Sequence, residues 1–191
     1  MEPRYNILKD AFEGLDTFAT VKVLLDYGMS ANPYIYTHTS LLDKAVQMGK
    51  CDVAELLLDH GAGLDCKRFQ QVLVQAIKND DPDMISLLIK HGASMENTNA
   101  FDLALVNRRI ASARKLLELG ADINGMSAVR HHRKGGTSKV KAGTPLHRVI
   151  GAAIWKPGAT CSRKEMVRFL LENGANTDIV YGRHTVQACT I

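Results

Sequence analysis

The sequence predicts an all-α solenoid of stacked helix–turn–helix units with hairpin-like fingers between them, and three observations predict it. One apolar helical phrase recurs five times, at 21–32, 53–65, 84–96, 112–124 and 166–178. Each copy carries a glycine behind its leucine-rich turn, and these glycines, Gly28, Gly61, Gly92, Gly120 and Gly174, stand 33, 31, 28 and 54 residues apart. The last spacing is one period of 33 plus 21 further residues, so no copy is skipped. A shorter apolar segment precedes every copy, giving two helices per period. Units this small cannot bury an apolar face alone and cohere by stacking on their neighbours.

Taken in order, the shorter segments lie at 5–13, 41–48, 72–78, 101–107 and 146–153, each followed by the longer helix that runs up to its glycine. The longer helices must stop there, because glycine enters the left-handed conformation at low steric cost. Between the helices of a pair stand Gly49, Asn79, Asp80 and Asp81, residue types that suit tight turns and helix starts. The repeats therefore span about 5–36, 37–68, 69–97, 98–125 and 143–180 in a single array, with a partial sixth at 181–191.

At this period, Thr144-Pro145-Leu146-His147 followed by Phe169-Leu170-Leu171-Glu172-Asn173-Gly174-Ala175-Asn176 resembles the ankyrin repeat. The resemblance implies that Thr144 caps the first helix of its unit, that Pro145 fits the first turn and that His147 links neighbouring units by hydrogen bonding. Counting back 21 residues from the glycine places Ser40-Leu41-Leu42-Asp43, Gln71-Val72-Leu73-Val74 and Asn99-Ala100-Phe101-Asp102 in the same slot, where Ser40 and Asn99 supply caps. The apolar third letter persists as Leu42, Leu73, Phe101 and Leu146; a small residue three places on persists as Ala45, Ala76 and Ala104, with Val149 the exception. His184-Thr185-Val186-Gln187 falls in the slot of the sixth unit, whose second helix is missing, so the chain is either a piece of something longer or ends in a partial cap.

Two insertions break the period. From Gly120 to Thr144 is 24 residues instead of 12, which lengthens the finger at 125–143; from Thr144 to Gly174 is 30 instead of 21, which adds nine residues between two helices at 151–162. The long finger carries Arg130, Arg133, Lys134, Lys139 and Lys141 and no acid. Taking those five charges from +4 leaves the remaining residues near −1, so the pI of 8.9 belongs to one loop. Such a cluster attracts phosphates or an acidic protein surface and can serve in nuclear import; a loop of this composition that is merely solvated is the plainer reading. It holds no aromatic residue on which bases could stack. Its paired His131 and His132 lack the further ligands a metal needs. The 135–139 run, Gly135-Gly136-Thr137-Ser138-Lys139, lacks the spacing of a phosphate-binding loop. The second insertion holds Trp155, which either packs over the inter-helix edge or anchors a partner. Finger tips elsewhere present Tyr34, Tyr36, His38, Lys67, Arg68, Phe69, Tyr181 and Arg183; Tyr and Arg are residue types that supply binding energy when buried by a partner, whereas Phe69 is better read as packing between copies and the tyrosines alternatively as cover at the solvent edge. The spacing of 28 between Gly92 and Gly120 predicts a stunted finger around 94–99.

The rest of the composition narrows the function. With 46% hydrophobic and 23% charged residues the chain is globular. The opening residues lack a secretory apolar core, no run reaches the length of a spanning helix, and Cys51, Cys66, Cys161 and Cys189 form no C-x-x-C pair. A monomer with reduced thiols in the cytoplasm or nucleus is expected. Hydrolase, metalloprotease and dinucleotide motifs are missing, so no catalysis, metal or cofactor is expected. An extended repeat surface favours recognition of a macromolecule. The sequence therefore predicts a non-catalytic protein–protein interaction module, with no membrane partner, that takes another protein on its concave and finger surface, with the basic loop as a further candidate contact. The alternative is nucleic acid or another anionic surface bound through 130–141.

Overall fold

The computed structural model describes residues 11–12, 14, 16–32, 34–36, 39–62, 66–130, 140–151 and 160–179, which fall into two compact units, Met1–Ser94 and Met95–Ile191. In the first unit the order is α1 (Thr17–Asp26), β1 (Tyr34–Tyr36), β2 (Thr39–Ser40), α2 (Leu41–Gln47), α3 (Cys51–Asp59), α4 (Cys66–Asn79) and α5 (Pro82–Lys90). In the second it is α6 (Met95–Thr98), α7 (Ala100–Val106), α8 (Ile110–Glu118), β3 (Ser127–Arg130), β4 (Val140–Gly143), α9 (Pro145–Gly151) and α10 (Arg163–Glu172). Both hairpins are antiparallel; β3 and β4 pair Ser127 with Gly143 through Arg130 with Val140, and β1 and β2 pair with a register shift.

Each longer helix ends as the sequence requires. At the end of α3, Gly61 takes φ +75, its N–H bonds Leu58 O at 3.0 Å, and the N–H of Ala62 reaches back to Leu57 O at 2.9 Å. Two carbonyls that a helix end would leave unpaired are thereby satisfied. The same pair of bonds closes α1, α5, α8 and α10. The first helices of repeats two to four end the same way, on Gly49, Asp80 and Arg108 at φ 67, 59 and 54. Each lies nine residues past its slot opener, Ser40, Gln71 or Asn99, so the slots are in structural register. Arg108 carries a side chain where glycine is at ease. Left-handed strain of about 1–2 kcal/mol, less the unfolded-state entropy of about 0.4–1 kcal/mol that glycine adds, makes Arg108→Gly stabilising by roughly 0.5–1 kcal/mol in urea denaturation.

Helix starts are less uniform. Ser40 caps α2 in a reciprocal box with Asp43, and Ser162 caps α10 in another with Glu165. Asn99 occupies the N-cap position of α7 but does not act as the expected cap. Its backbone is left-handed at φ +46 and its side chain makes no cap hydrogen bond. The third repeat also departs from expectation, because α4 begins at Cys66, six residues before Val72. The linker there is short and Cys66-Lys67-Arg68-Phe69-Gln70 contains neither Gly nor Pro, so nothing stops the helix from extending backwards. The stunted finger folds as the single turn α6.

Packing follows the repeat letters. Within repeats α2 lies on α3, α4 on α5, α7 on α8 and α9 on α10; between repeats of one unit α2 meets α4, α3 meets α1 and α5, and α7 meets α9. The third slot letters Leu42, Leu73, Phe101 and Leu146 and the small letters Ala45, Ala76, Ala104 and Val149 are all buried. So are Leu57, Leu88, Leu116 and Leu170, each four residues before its glycine. Polar ties lock the repeats together at their edges. Asn32 Nδ2 donates to Gly61 O at 3.3 Å and Asn124 Nδ2 to Gly174 O at 3.3 Å. Three inter-helix turns also grip the carbonyls at the end of the preceding first helix: Lys50 Nζ bonds Phe12 O at 3.2 Å, Asn79 Nδ2 bonds Val46 O at 3.0 Å, and Thr160 Oγ1 bonds Arg108 O at 2.7 Å.

Candidate functional site

Hairpins and the open faces of the first helices form the candidate surface. The first helices α2, α4 and α7 spend their second, third, sixth and seventh slot letters on the core, as Leu41, Leu42, Ala45 and Val46 in α2 and Val72, Leu73, Ala76 and Ile77 in α4, whereas the seventh letter of α9, Ile150, is exposed. The period of 3.6 residues then turns the fourth, fifth and eighth letters outward. In the first unit these letters flank a groove between α2 and α4, lined by Thr39, Asp43, Gln47, Gln71, Val72 and Gln75. Val72 is buried, Asp43 and Gln75 are half-buried, and Gln47 and Gln71 are exposed. Asp43 Oδ2 accepts from the N–H and the hydroxyl of Ser40, both at 2.8 Å, which fixes its carboxylate on the groove wall. Gln75 Nε2 donates to Asn79 Oδ1 at 3.0 Å.

In the second unit the same slot positions are filled differently. Arg148 Nε lies 3.3 Å from Asp102 Oδ1, joining α9 to α7 with side-chain exposures of only 12% and 9%. Burial holds the Asp102 carboxyl above its ordinary range, and the Arg148 guanidinium pulls it partly back. Beside this pair the Thr144 hydroxyl bonds His147 Nδ1 at 2.7 Å, while His147 Nε2 is buried without a hydrogen-bond partner, so the expected link from His147 to a neighbouring repeat is not made. Gly143 is where the hairpin meets α9: a Cβ there would stand 3.2 Å from the Cβ of His147, a tight contact that favours glycine.

The sequence-predicted site residues scatter over this surface. Tyr34 and Tyr36 lie in β1, which pairs with β2, the strand whose Thr39 lines the groove. Lys67 and Arg68 stand in the first turn of α4 and not on a hairpin tip, since the helix extends through them. Arg130 and Lys141 sit on adjacent rungs of the β3–β4 ladder, opposite Val140 and Val129, at the root of the basic loop. His38, Arg133, Lys134, Lys139, Trp155, Tyr181 and Arg183 lie outside the described residues. The sequence reading missed the glutamine-lined groove and the Asp102–Arg148 pair. Lining up the fourth and fifth slot letters, as was done for the third, would have found both.

Little on the described surface suits chemistry. Cys51 and Cys161 are free thiols. Burial, together with Asp81 alongside, pushes the Cys51 thiol up to about 11, so it carries almost no thiolate at neutral pH. Among the described residues no group of three His, Cys, Asp or Glu side chains is placed to hold a metal ion, and no helix is long and apolar enough to cross a membrane.

No protein-family model matches the chain. It is 30% identical over 148 residues to human ankyrin repeat and SOCS box protein 6, covering 72% of this chain and 32% of that protein. The mouse protein of that name is 32% identical over 108 residues, 49% of this chain and 26% of its own length. The chain thus spans about a third of the length of the curated relatives it matches. Among solved structures, the human ASB11 ankyrin repeat domain superposes with a TM-score of 0.60 at 20% identity, covering 93% of this chain and 72% of that one. The ankyrin repeat domain of Bcl-3 superposes with a TM-score of 0.59 at 23% identity, covering 90% and 72%. These likenesses carry the same fold as the glycine-stopped helix pairs and the buried slot letters: the chain is an ankyrin-repeat protein.

Proposed function

We propose that this chain is a non-catalytic module that binds another protein along its first-helix faces and hairpins, as a monomer in the cytoplasm or nucleus. Ankyrin repeat domains generally mediate protein–protein interactions, and one observation supports that use here. The second, third, sixth and seventh letters of α2, α4 and α7 are buried, whereas polar letters such as Asp43, Lys44, Gln47, Gln75 and Lys78 form a half-buried to exposed strip along the first helices of the first unit. A strip of this kind offers area and alternating hydrogen-bonding groups, which suit a protein surface better than a small substrate.

The basic loop between β3 and β4 is the second contact in this reading, because it is a long finger whose ladder ends on Arg130 and Val140. Replacing 130–141 with a two-residue turn is expected to weaken capture of the partner from cell lysate about tenfold, while the circular dichroism and urea midpoint stay within error. Unchanged capture removes the loop from the interface. If the loop instead binds nucleic acid through its five cations, affinity for duplex DNA must fall with a log–log salt slope of about −4. A flat salt titration discards that alternative.

A further inference from the structure

The two units fill one repeat position in opposite ways, and the difference identifies what the groove between α2 and α4 binds. Asp43 and Asp102 are both the fourth letter of their slot; Gln75 and Arg148 are both the fifth letter of the slot in the following repeat. Register is secured independently in repeats two to four by the left-handed residues that close the first helices, Gly49, Asp80 and Arg108, and in repeat five by the Thr144-Pro145-Leu146-His147 slot itself. In the second unit the aspartate is matched by a guanidinium 3.3 Å away, and both side chains are largely withdrawn from solvent. In the first unit the guanidinium is replaced by a neutral glutamine tied to Asn79, the space between the helices is an open groove, and among the described residues Asp43 has no cationic partner.

We propose that this groove takes an arginine side chain of the protein partner, whose guanidinium fills beside Asp43 the place that Arg148 fills beside Asp102. This rests on the protein-binding reading above and names the chemistry that one part of the surface selects. Asp43 is held in position by Ser40 through Oδ2, which leaves the Oδ1 edge for an incoming donor. Gln71 and Gln47 offer amide oxygens on either side, and the planar fork of arginine places several N–H groups within reach of such a set. Lysine, a single compact and strongly hydrated charge, would satisfy fewer of these acceptors.

The test uses the full chain, labelled with nitrogen-15, titrated with N-acetyl-arginine amide and with its neutral isostere N-acetyl-citrulline amide. The expected result is a set of shifts confined to the Asp43 amide and to the Gln47, Gln71 and Gln75 side-chain amides, saturating at least about tenfold earlier with the arginine ligand, as a charge-assisted hydrogen bond requires. Gln75→Arg installs the cation of the second unit in the first; it is expected to abolish the response while leaving the urea midpoint unchanged or higher. Asp43→Asn, which keeps an acceptor for Ser40, is expected to abolish the preference for arginine over citrulline. Equal responses to the two ligands, a response that survives Gln75→Arg, or no localised shift at tens of millimolar ligand overturns the proposal. Any of these outcomes with partner capture intact overturns the arginine site alone, whereas a parent chain that captures no protein while the titration runs as expected overturns the protein-binding reading and leaves the site standing.

Discussion

Leu116→Ala is expected to lower the unfolding free energy by about 3 kcal/mol, the range found when a buried leucine is cut back to alanine in a core that cannot collapse around the gap. Leu116 is fully buried, four residues before Gly120, and its carbonyl accepts the Ala121 N–H that closes α8. The cavity would open between the two helices of one repeat, where the small letter Ala104 has no volume to give. Leu171→Ala is the control. It changes the same atoms, but Leu171 is 46% exposed, so a loss of under about 1 kcal/mol is expected. Urea denaturation of the two variants beside the parent checks the pair, and equal losses would mean that burial at this repeat position is not what holds α8 in place.

Asp102→Ala is expected to cost about 3 kcal/mol, for a different reason. The substitution strands the Arg148 guanidinium in a site where 12% of its side chain reaches solvent, and a buried charge that loses its partner forfeits its desolvation energy. Removing both charges is another matter. Asp102→Leu together with Arg148→Met replaces the pair by apolar groups of similar volume and is expected to recover most of the loss, because such pairs repay little more than their own desolvation. The sign of the pH dependence follows from the direction of the shift. Burial raises the Asp102 carboxyl above its ordinary 3.8, so the native state keeps a proton that the unfolded chain has already lost. Its contribution to stability therefore falls as pH rises from 3.8 through the raised native value and is flat above it. Asp102→Asn should lack that fall, so its stability relative to the parent should improve between pH 4 and pH 7; a constant difference across that range would show that the carboxyl is not perturbed in the fold.

The parts of the fold that were legible in the sequence are those where one physical demand recurs in every copy. A left-handed stop requires glycine, and Gly28, Gly61, Gly92, Gly120 and Gly174 all adopt it. A buried third letter must be apolar, and Leu42, Leu73, Phe101 and Leu146 are. The start of α4 was not legible, since the absence of a breaker at 66–70 is a silence in the sequence and the repeat pattern overrode it. Asn99 misled because asparagine suits both an N-cap and a left-handed turn, and the backbone took the second. The Asp102–Arg148 pair escapes a reading of single letters because each member alone is an ordinary polar residue on a helix; it shows only when the fourth letter of one slot is set against the fifth letter of the next, across the long finger. The same holds for the groove beside Asp43, whose character lies in what the fifth letter lacks. Lys67 and Arg68 were placed on a fingertip by counting residues from the glycine, and the helix that absorbs them changes where they sit on the surface.

Residue-resolved amide hydrogen exchange of the chain, free and saturated with the protein it captures, tests the central claim most directly. Protection is expected to rise on α2, α4, α7, α9 and the two hairpins, with no gain on α3, α5, α8 and α10. Protection gained on the second helices, with the first helices and hairpins exchanging as before, would contradict it.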